Sequence, residues 1–237
     1  MKYITLFEQQ TAFDNAKSTL DKPNMSLVTE TGNVYSLAVG GVTYEYVDLG
    51  LSVKWAKCNV GAEKETDAGL YFAWGETTGY TASQVGTDKQ FSWSDYKYGN
   101  SSSNLTKYNQ SDGKTVLETE DDAATQIMGS DWRMPTETEI RELINNTTNE
   151  WTQVNGVNGY KFTSNKEGYQ NNSIFIPAAG LCGDGSVNGV GGNGLVWSSS
   201  LGASYPDSAW YLSFFSGNCY MSSNYRCYGL SVRGVRK

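Results

Sequence analysis

Residues 131–143 read DWRMPTETEIREL, and this stretch carries the clearest helix signal in the chain. Thr136, followed three residues later by Glu139, matches a capping box, in which two side chains bind free backbone N–H groups at the start of a helix. Ile140 and Leu143 then supply an apolar face at helical spacing. The pattern predicts a helix that starts at Thr136, packs on a core and continues through LINNTTNE to residue 150.

The segments around this helix predict an α+β fold. A shorter helix is expected in DDAATQIMG, residues 121–129, because an Asp starts it and a Gly ends it. Residues 42–62 and 70–76 alternate aromatic and β-branched residues, which is typical of strands. Residues 77–114 predict a long, solvent-exposed segment with little regular structure. From residue 159 onward, turns rich in Gly, Asn and Ser separate five strand-like runs: GYKFTS, SIFIPAAG, GLVWSSS, AWYLSFF and YGLSVRGV.

The chain of 237 residues divides near Gly40-Gly41. Residues 1–41 predict an N-terminal extension with short strands and a helix, and residues 42–237 predict one main domain. The formal net charge of −7 leaves no basic surface for nucleic acid. No run of about 18 apolar residues occurs, so direct membrane insertion is not expected, and no signal peptide is recognisable.

The ionisable residues argue against an enzyme. Histidine, the commonest general base and a frequent metal ligand, is absent, and the four cysteines show no CxxC spacing. We therefore predict no catalytic residue, no metal and no cofactor. Cys219 and Cys227 either pair across a loop or remain free, partly buried thiols, and the sequence leaves both alternatives open.

An acidic cluster precedes the first predicted helix, at Glu118, Glu120, Asp121 and Asp122. We interpret it as a solvated, acidic helix start. The same carboxylates are hard oxygen ligands that suit Ca²⁺, and paired carboxylates also suit acid–base chemistry, so both remain as alternatives.

Trp132 lies between Asp131 and Arg133, an arrangement that suits stacking against a sugar ring. Its position at the entry to a capped helix favours instead a core Trp beside a buried ion pair. We assign Trp132 and Arg133 to the scaffold on this ground, together with Arg233 in the last strand.

The C-terminal part of the chain has a distinct composition. Residues 171–236 contain no Lys, Glu or Gln, although the earlier chain uses all three. Over residues 195–228, 20 positions are Ser, Tyr, Trp, Gly or Asn, and only Asp207 and Arg226 are charged. Antibody paratopes share this composition, because Tyr gives large rigid contact area while Ser, Gly and Asn adapt their hydrogen bonds. The region therefore predicts a binding surface.

Six motifs in fixed order resemble the Fibrobacter succinogenes major paralogous domain over roughly residues 42–236: VDLGLSVKWAKCNVGA, YFAWGE, DWRMPTETEIREL, IFIPAAG, LVWSSS and GLSVRGV. The resemblance implies a C-type lectin-like fold of the formylglycine-generating-enzyme-like branch. In that fold two helices lie around small antiparallel sheets, and the first and last strands of the domain pair. The calcium-binding Glu-Pro-Asn and Gln-Pro-Asp motifs of such lectins do not occur, and Tyr205-Pro206-Asp207 is interpreted as a turn.

The same branch includes the variable proteins of diversity-generating retroelements, which this chain also resembles. In those proteins, adenines of AAY codons are miscopied, which yields Asn, Asp, Tyr, Ser, Gly, Cys, Thr, Ala, Val, Leu, Phe and others, but never Lys, Glu, Gln, Trp or Met. The resemblance therefore implies that Trp197 and Trp210 are fixed scaffold. It implies a hypervariable contact surface that consists of Ser204, Tyr205, Asp207, Tyr211, Ser216, Asn218, Tyr220, Ser222, Ser223, Asn224, Tyr225 and Tyr228.

The expected function is receptor recognition by a ligand-binding protein of a gut bacterium or its phage. The expected partner is a surface protein or glycan of a target cell, and the expected location is extracellular, on a phage particle or bacterial surface. A homotrimer is expected if the protein belongs to a virion. The alternative is a fixed adhesin or envelope structural protein of the same family, without diversification.

Overall fold

The computed structural model describes residues 28–31, 34–39, 42–202 and 204–237, with side chains from residue 43 onward. Its helices are α1 (Ala123–Met128) and α2 (Glu137–Asn145), with short 3-10 turns at Ala82–Gln84 and Thr119–Asp121. The strands, in chain order, are β1 (Val28–Thr31), β2 (Val34–Val39), β3 (Val42–Val47), β4 (Lys54–Ala56), β5 (Tyr71–Phe72), β6 (Gly99–Ser101), β7 (Asn104–Leu105), β8 (Thr147–Val154), β9 (Val157–Ser164), β10 (Ser173–Pro177), β11 (Leu181–Gly183), β12 (Ser186–Asn188), β13 (Asn193–Leu201), β14 (Ser208–Phe215), β15 (Asn218–Tyr225), β16 (Leu230–Ser231) and β17 (Val235–Arg236).

Both helices begin where the sequence predicts. The Asp122 carboxylate caps α1 by accepting a hydrogen bond from the Thr125 backbone N–H at 2.9 Å. At α2 the capping box is complete: the Thr136 hydroxyl accepts from the Glu139 N–H at 3.3 Å, and the Glu139 carboxylate accepts from the Thr136 N–H at 2.8 Å. A cap of this kind contributes about 1 kcal/mol to the stability of a helix.

The end of α2 differs from the prediction. The helix stops at Asn145, and residues 147–150, expected to be helical, instead begin strand β8, which runs from residue 147 to residue 154. Thr147 and Thr148 are β-branched and suit a strand. Asn155 and Gly156, with φ of 49° and 80°, then make the positive-φ turn that folds β8 antiparallel onto β9. Pairing within the β8-β9 hairpin therefore decides this segment, and the signal for the start of a helix does not indicate where that helix ends.

The first five-stranded sheet has the order β1-β2-β3-β4-β17, and all its neighbours are antiparallel. Strand β2 pairs with β3 from Val39 opposite Val42 to Val34 opposite Val47. The boundary expected at Gly40-Gly41 thus falls between two paired strands, and the described part of the extension continues the sheet of the main domain. The helix predicted in the extension lies outside the described residues.

The last strand of the chain does not pair with the first strand of the domain. Strand β17 pairs with β4, with Val235 opposite Trp55, and β4 separates it from β3. The implied pairing of first and last strands is therefore wrong by one strand position. The two ends of the domain still meet in one sheet, which closes the body around a common core.

The second five-stranded sheet has the order β15-β14-β13-β16-β5. Its pairs are antiparallel except β13 with β16, which run parallel with Val196 opposite Ser231. Strand β15, at residues 218–225, lies in the predicted binding surface and is not among the strand-like runs recognised in the sequence. It is an eight-residue edge strand that pairs along its whole length with β14.

Two hydrophobic clusters join these sheets. Helix α2 packs against β13, β14 and β15, where Ile140 and Leu143 meet Phe214 in one cluster. The second cluster surrounds Trp74 and Trp197, which are both fully buried. Burial of each such side chain stabilises the fold by about 1.5–3 kcal/mol.

The prediction that residues 77–114 form a solvent-exposed segment is wrong in one respect, because part of this segment contributes to the core. Phe91, Tyr96, Tyr98 and Tyr108 are buried there, each with less than a tenth of its surface exposed. Aromatic rings in a segment without periodicity give no directional signal, so the sequence pattern did not reveal their burial.

The described residues form a mixed α+β structure with few helices and several small, mainly antiparallel sheets, including the three-stranded sheet β10-β9-β8 and the pairs β11-β12 and β6-β7. None of the helices in this part of the chain has the length and apolar character needed to cross a membrane.

Candidate functional site

Three tyrosines project from the C-terminal part of the chain. Tyr205 is 69% exposed, Tyr220 43% and Tyr225 42%. Among the described residues, the only other large hydrophobic side chains this exposed are Val116 and Val190. In the described part of the chain, all tyrosine rings exposed to this degree therefore lie within the predicted contact surface.

Strand β15 divides the predicted contact residues between two faces. Side chains alternate across a strand, so Tyr220 and Ser222 point to one face while Met221 and Ser223 point to the other, and Tyr225, the last residue of the strand, contacts Trp93. Cys219 and Met221, which share the face of Ser223, are half-buried against the cluster that contains α2. The contact residues therefore surround an exposed sheet edge instead of forming one flat face.

The exposed rings are held by neighbouring aromatic rings. Tyr220 packs edge-on against Phe215, with ring centroids 6.3 Å apart. Tyr225 makes similar contacts with Trp93 at 5.8 Å and with Tyr228 at 6.0 Å. Edge-to-face pairs of this kind restrict ring motion and leave one side of each ring open to a partner.

Tyr211 does not belong to the surface. It is buried in the core, with its ring centroid 5.9 Å from that of Trp197, so its prediction as a contact residue is wrong. Side chains alternate along β14, so Tyr211 faces the core. Amino-acid composition alone does not reveal this orientation. The remaining predicted contacts are at least partly accessible: Ser204, Ser216, Asn218 and Ser223 are exposed, and Asp207, Ser222, Asn224 and Tyr228 are half-buried.

The residues assigned to the scaffold have packed surroundings. The Trp197 indole N–H donates to the Phe72 carbonyl at 2.9 Å, and the half-buried Trp210 ring lies 5.3 Å from the Arg141 guanidinium. The Arg233 guanidinium is fully buried and donates to Asn59 and to the Phe175 carbonyl, both at 3.0 Å. Burial lowers the pKa of Arg233 to about 10.

The Asp131-Trp132-Arg133 segment offers no sugar platform. The Trp132 ring is buried and meets Tyr44 and Tyr46 edge-on, each at 6.2 Å. Arg133 forms a two-pronged ion pair with Glu139 of α2, with Nη1 2.7 Å from Oε2. This ion pair fixes the entry to α2, and the burial of the Trp132 ring leaves it unable to stack on a ligand.

A cavity of about 440 Å³ opens beside Tyr205. Its two walls are the segment 102–111, which follows β6 and includes β7, and the loop 204–207, which precedes β14. It is lined by Ser102, Ser103, Leu105, Asn109, Gln110, Ser111, Ser204, Tyr205, Pro206 and Asp207. The cavity thus joins three predicted contact residues to a segment that the sequence did not connect with them.

Arg226 ties the two walls together. It is fully buried, and its guanidinium donates to the Tyr108 carbonyl at 2.8 Å and the Lys107 carbonyl at 3.1 Å on one wall. On the other wall it donates to the Pro206 carbonyl at 2.9 Å. Its Nε donates to the Tyr96 hydroxyl at 3.0 Å. One side chain thereby sets the spacing of the cavity.

Each of the four cysteines is a free thiol, so Cys219 and Cys227 do not form a disulfide. Their positions explain this, because Cys219 lies at the turn end of the edge strand β15 and Cys227 is buried beyond its other end. Burial raises the pKa of both thiols to about 12, so they stay protonated near neutral pH and are poor nucleophiles.

The acidic cluster is only partly solvated, because Glu120 is exposed while Asp121 is buried, and a lysine lies among its carboxylates. The Lys107 ammonium lies 2.7 Å from Glu118, 3.4 Å from Glu120 and 2.6 Å from Asp121. These three carboxylates are close enough together to hold a metal ion, but the lysine nitrogen already lies among them. Asp122 instead caps α1. The expected interpretation as a solvated start is wrong for Asp121, which is 1% exposed.

Sequence reasoning missed Arg226 and the whole cavity wall at residues 102–111, which includes Gln110. The available signal for Arg226 was its position as the only arginine in a nearly uncharged stretch. Such a residue is either a contact residue or a buried side chain that binds neighbouring segments. Gln110 lies far from the C-terminal region in sequence, so only the tertiary structure brings it to the cavity.

The chain matches no family model, no curated protein and no solved structure. The resemblances noted from its motifs therefore remain predictions. The function proposed below rests on the geometry of the exposed tyrosines and the cavity.

Proposed function

We propose that the chain is a recognition protein that binds a molecule on the surface of a target cell through the C-terminal surface, residues 204–207 and 216–228. We further propose that the body is a C-type lectin-like domain of the branch that its motifs resemble. The single observation that carries the proposal is the exposure of Tyr205, Tyr220 and Tyr225 on an otherwise well-packed body.

The chemistry of this surface suits binding. Exposed tyrosine rings are typical hot-spot residues, because each buries much area on contact and loses little conformational entropy. Ser204, Ser223 and Asn218 add hydroxyl and amide groups that make hydrogen bonds with a polar partner. Asp207 is the one accessible charged residue of the surface, so electrostatic steering contributes little to association.

The proposed action is binding without covalent chemistry. The thiols near the surface are held protonated, and the carboxylates of the acidic cluster are engaged by Lys107. Affinity then comes from ring burial and hydrogen bonds, and it is expected to be insensitive to a metal chelator. Display on a phage particle or a bacterial surface would raise the avidity of such weak contacts, and in a virion a homotrimer would serve this purpose.

Replacement of Tyr205, Tyr220 and Tyr225 together by Ser is expected to reduce binding to target cells by about tenfold or more, because three hot-spot rings are lost. The measurement is flow cytometry of labelled protein on intact strains of gut Bacteroides-type bacteria. Since all three rings are exposed, the midpoint of thermal unfolding should change little.

The matched control is the double variant Val116→Ser and Val190→Ser. It removes exposed apolar side chains of 45% and 64% exposure elsewhere on the body, so it should bind cells like the unaltered protein. Equal cell binding by the triple tyrosine variant and this control would contradict the proposed surface.

Sequencing of the gene's 3′ end in sibling isolates should reveal differences concentrated at codons for the contact residues. Exposed positions of β15 such as Asn218, Tyr220 and Ser223 tolerate substitution at low cost in stability, whereas Trp197 and Trp210 pack against neighbours and should stay constant. Differences spread evenly along the gene would instead favour the alternative, a fixed adhesin of the same family.

A further inference from the structure

We infer that the cavity beside Tyr205 is a subsite for a neutral saccharide. The inference rests on the proposed function and deepens it, because it names the chemical class of ligand that one part of the surface binds. It assigns the segment 102–111, outside the predicted contact surface, to the same site.

Tyr205 supplies the platform. At 69% exposure, its ring is the most exposed aromatic ring among the described residues. Its backbone is fixed on both sides, because its N–H donates to the Gly202 carbonyl at 2.9 Å and its carbonyl accepts from the Ser208 N–H at 2.9 Å. The loop beneath the ring is thus held in place, and an uncovered tyrosine ring, which has few rotatable bonds, loses little entropy when the apolar C–H face of a pyranose packs on it.

The walls supply hydrogen-bonding groups of both kinds. Ser102, Ser111 and Ser204 offer hydroxyl groups, and the exposed Gln110 offers an amide that both donates and accepts. The Asn109 amide is already engaged within the wall, because its Oδ1 accepts from the Ser111 N–H at 2.8 Å and its Nδ2 donates to the Leu105 carbonyl at 3.1 Å. Asn109 thus holds the wall in shape while its neighbours remain available to a ligand.

The charge of the cavity selects the ligand class. Of the ten described residues that line it, Asp207 alone is charged. A lone carboxylate accepts hydrogen bonds from sugar hydroxyls, and it repels sulfated, phosphorylated or carboxylated sugars. With no lysine or arginine in the lining to offset it, the cavity favours a neutral saccharide over an acidic one.

The cavity is also built before a ligand arrives. The buried Arg226 binds carbonyl oxygens of both walls, at Tyr108 and Pro206, so their separation does not depend on a ligand. Its volume of about 440 Å³ lies within the range typical of small-molecule sites. A monosaccharide should therefore bind on its own, with a Kd of about 1 mM.

The test is saturation-transfer NMR of the full chain with methyl glycosides of glucose, galactose, mannose and N-acetylglucosamine, with N-acetylneuraminic acid as the acidic probe. We expect signal from at least one neutral glycoside, unchanged by a chelator, and none from the acidic probe. Tyr205→Ala should weaken that binding by about tenfold or more, and Gln110→Ala should weaken it less. The control Val190→Ala should leave it unchanged.

Three results would overturn the inference: no signal from any neutral glycoside, binding of the acidic probe as tight as that of the neutral glycosides, or a dissociation constant for Tyr205→Ala equal to that of the unaltered protein. Flow cytometry on target cells separates this failure from failure of the proposed function. If cell binding still falls when Tyr220 and Tyr225 alone are replaced by Ser, the recognition surface stands and only the saccharide subsite is wrong.

Discussion

Replacement of Arg226 by Met is expected to lower the free energy of unfolding by about 3–5 kcal/mol, among the largest losses for a single substitution in this chain. Arg226 is fully buried, and its donors satisfy the carbonyls of Lys107, Tyr108 and Pro206. Methionine has a similar length but cannot donate, so buried carbonyl oxygens would be left without these partners. The measurement is urea unfolding followed by tryptophan fluorescence.

The same substitution should also disturb the cavity, because it removes the link between the two walls. Arg226→Lys keeps the positive charge but loses the planar, forked arrangement of donors. Its free energy of unfolding should therefore lie between those of the Arg226→Met variant and the unaltered protein. Arg141→Met is the matched control. Arg141 is about half exposed and pairs with Glu137 on the surface of α2, so its loss should cost about 1 kcal/mol or less. Equal stability of the Arg226→Met and Arg141→Met variants would contradict the role of Arg226 as the link between the two cavity walls.

Local signals in the sequence were sufficient for the parts of the fold that depend on neighbouring residues. Thr136 and Glu139 identify the start of α2 because both partners of the capping box lie within one helical turn. Asp122 identifies the start of α1 in the same way. The strand-like runs were also recognisable, since alternation of side chains is visible over a few residues.

The candidate site was predictable only in part, because burial depends on register. Composition marks residues 204–228 as a region, but it does not distinguish Tyr211, which points into the core, from Tyr220, which points out. Strand β14 pairs on both sides, with β13 and β15, and this pairing fixes which of its side chains turn inward. No property of the residue type carries that information.

Contacts between distant segments were beyond sequence reasoning. Lys107 and Asp121 are 14 residues apart and Arg226 and Tyr108 are 118 apart, yet both pairs fix the shape of the site. A charged residue in sequence predicts only that it needs a partner or solvent. The fold decides whether a given charged residue meets a partner or solvent. The prediction of a solvated acidic cluster therefore did not anticipate the burial of Asp121.

Stability is expected to fall in acid by about 2 kcal/mol through Asp121 alone. Burial opposes ionisation of this carboxyl, but hydrogen bonds from Lys107 at 2.6 Å and Tyr108 at 2.7 Å prevail and hold its pKa at about 2. The folded state thus favours the carboxylate relative to the unfolded chain, where the pKa is about 3.9. The contribution is complete above that pH and is lost as the pH falls from about 4 to about 2.

Asp121→Asn is therefore expected to lower the free energy of unfolding at pH 7 by about 3 kcal/mol, because a buried ion pair loses one partner. The variant should also lack the part of the acid-dependent loss that Asp121 causes in the unaltered protein, as measured by urea unfolding between pH 2 and 7. Glu120→Gln is the control: Glu120 meets the same lysine at 3.4 Å, but its side chain is 66% exposed. Water screens that contact, so its removal should change stability far less and leave the acid dependence intact. If both variants were destabilised equally, or if Asp121→Asn kept the full acid dependence, the buried carboxylate would not be the group that stabilises this network.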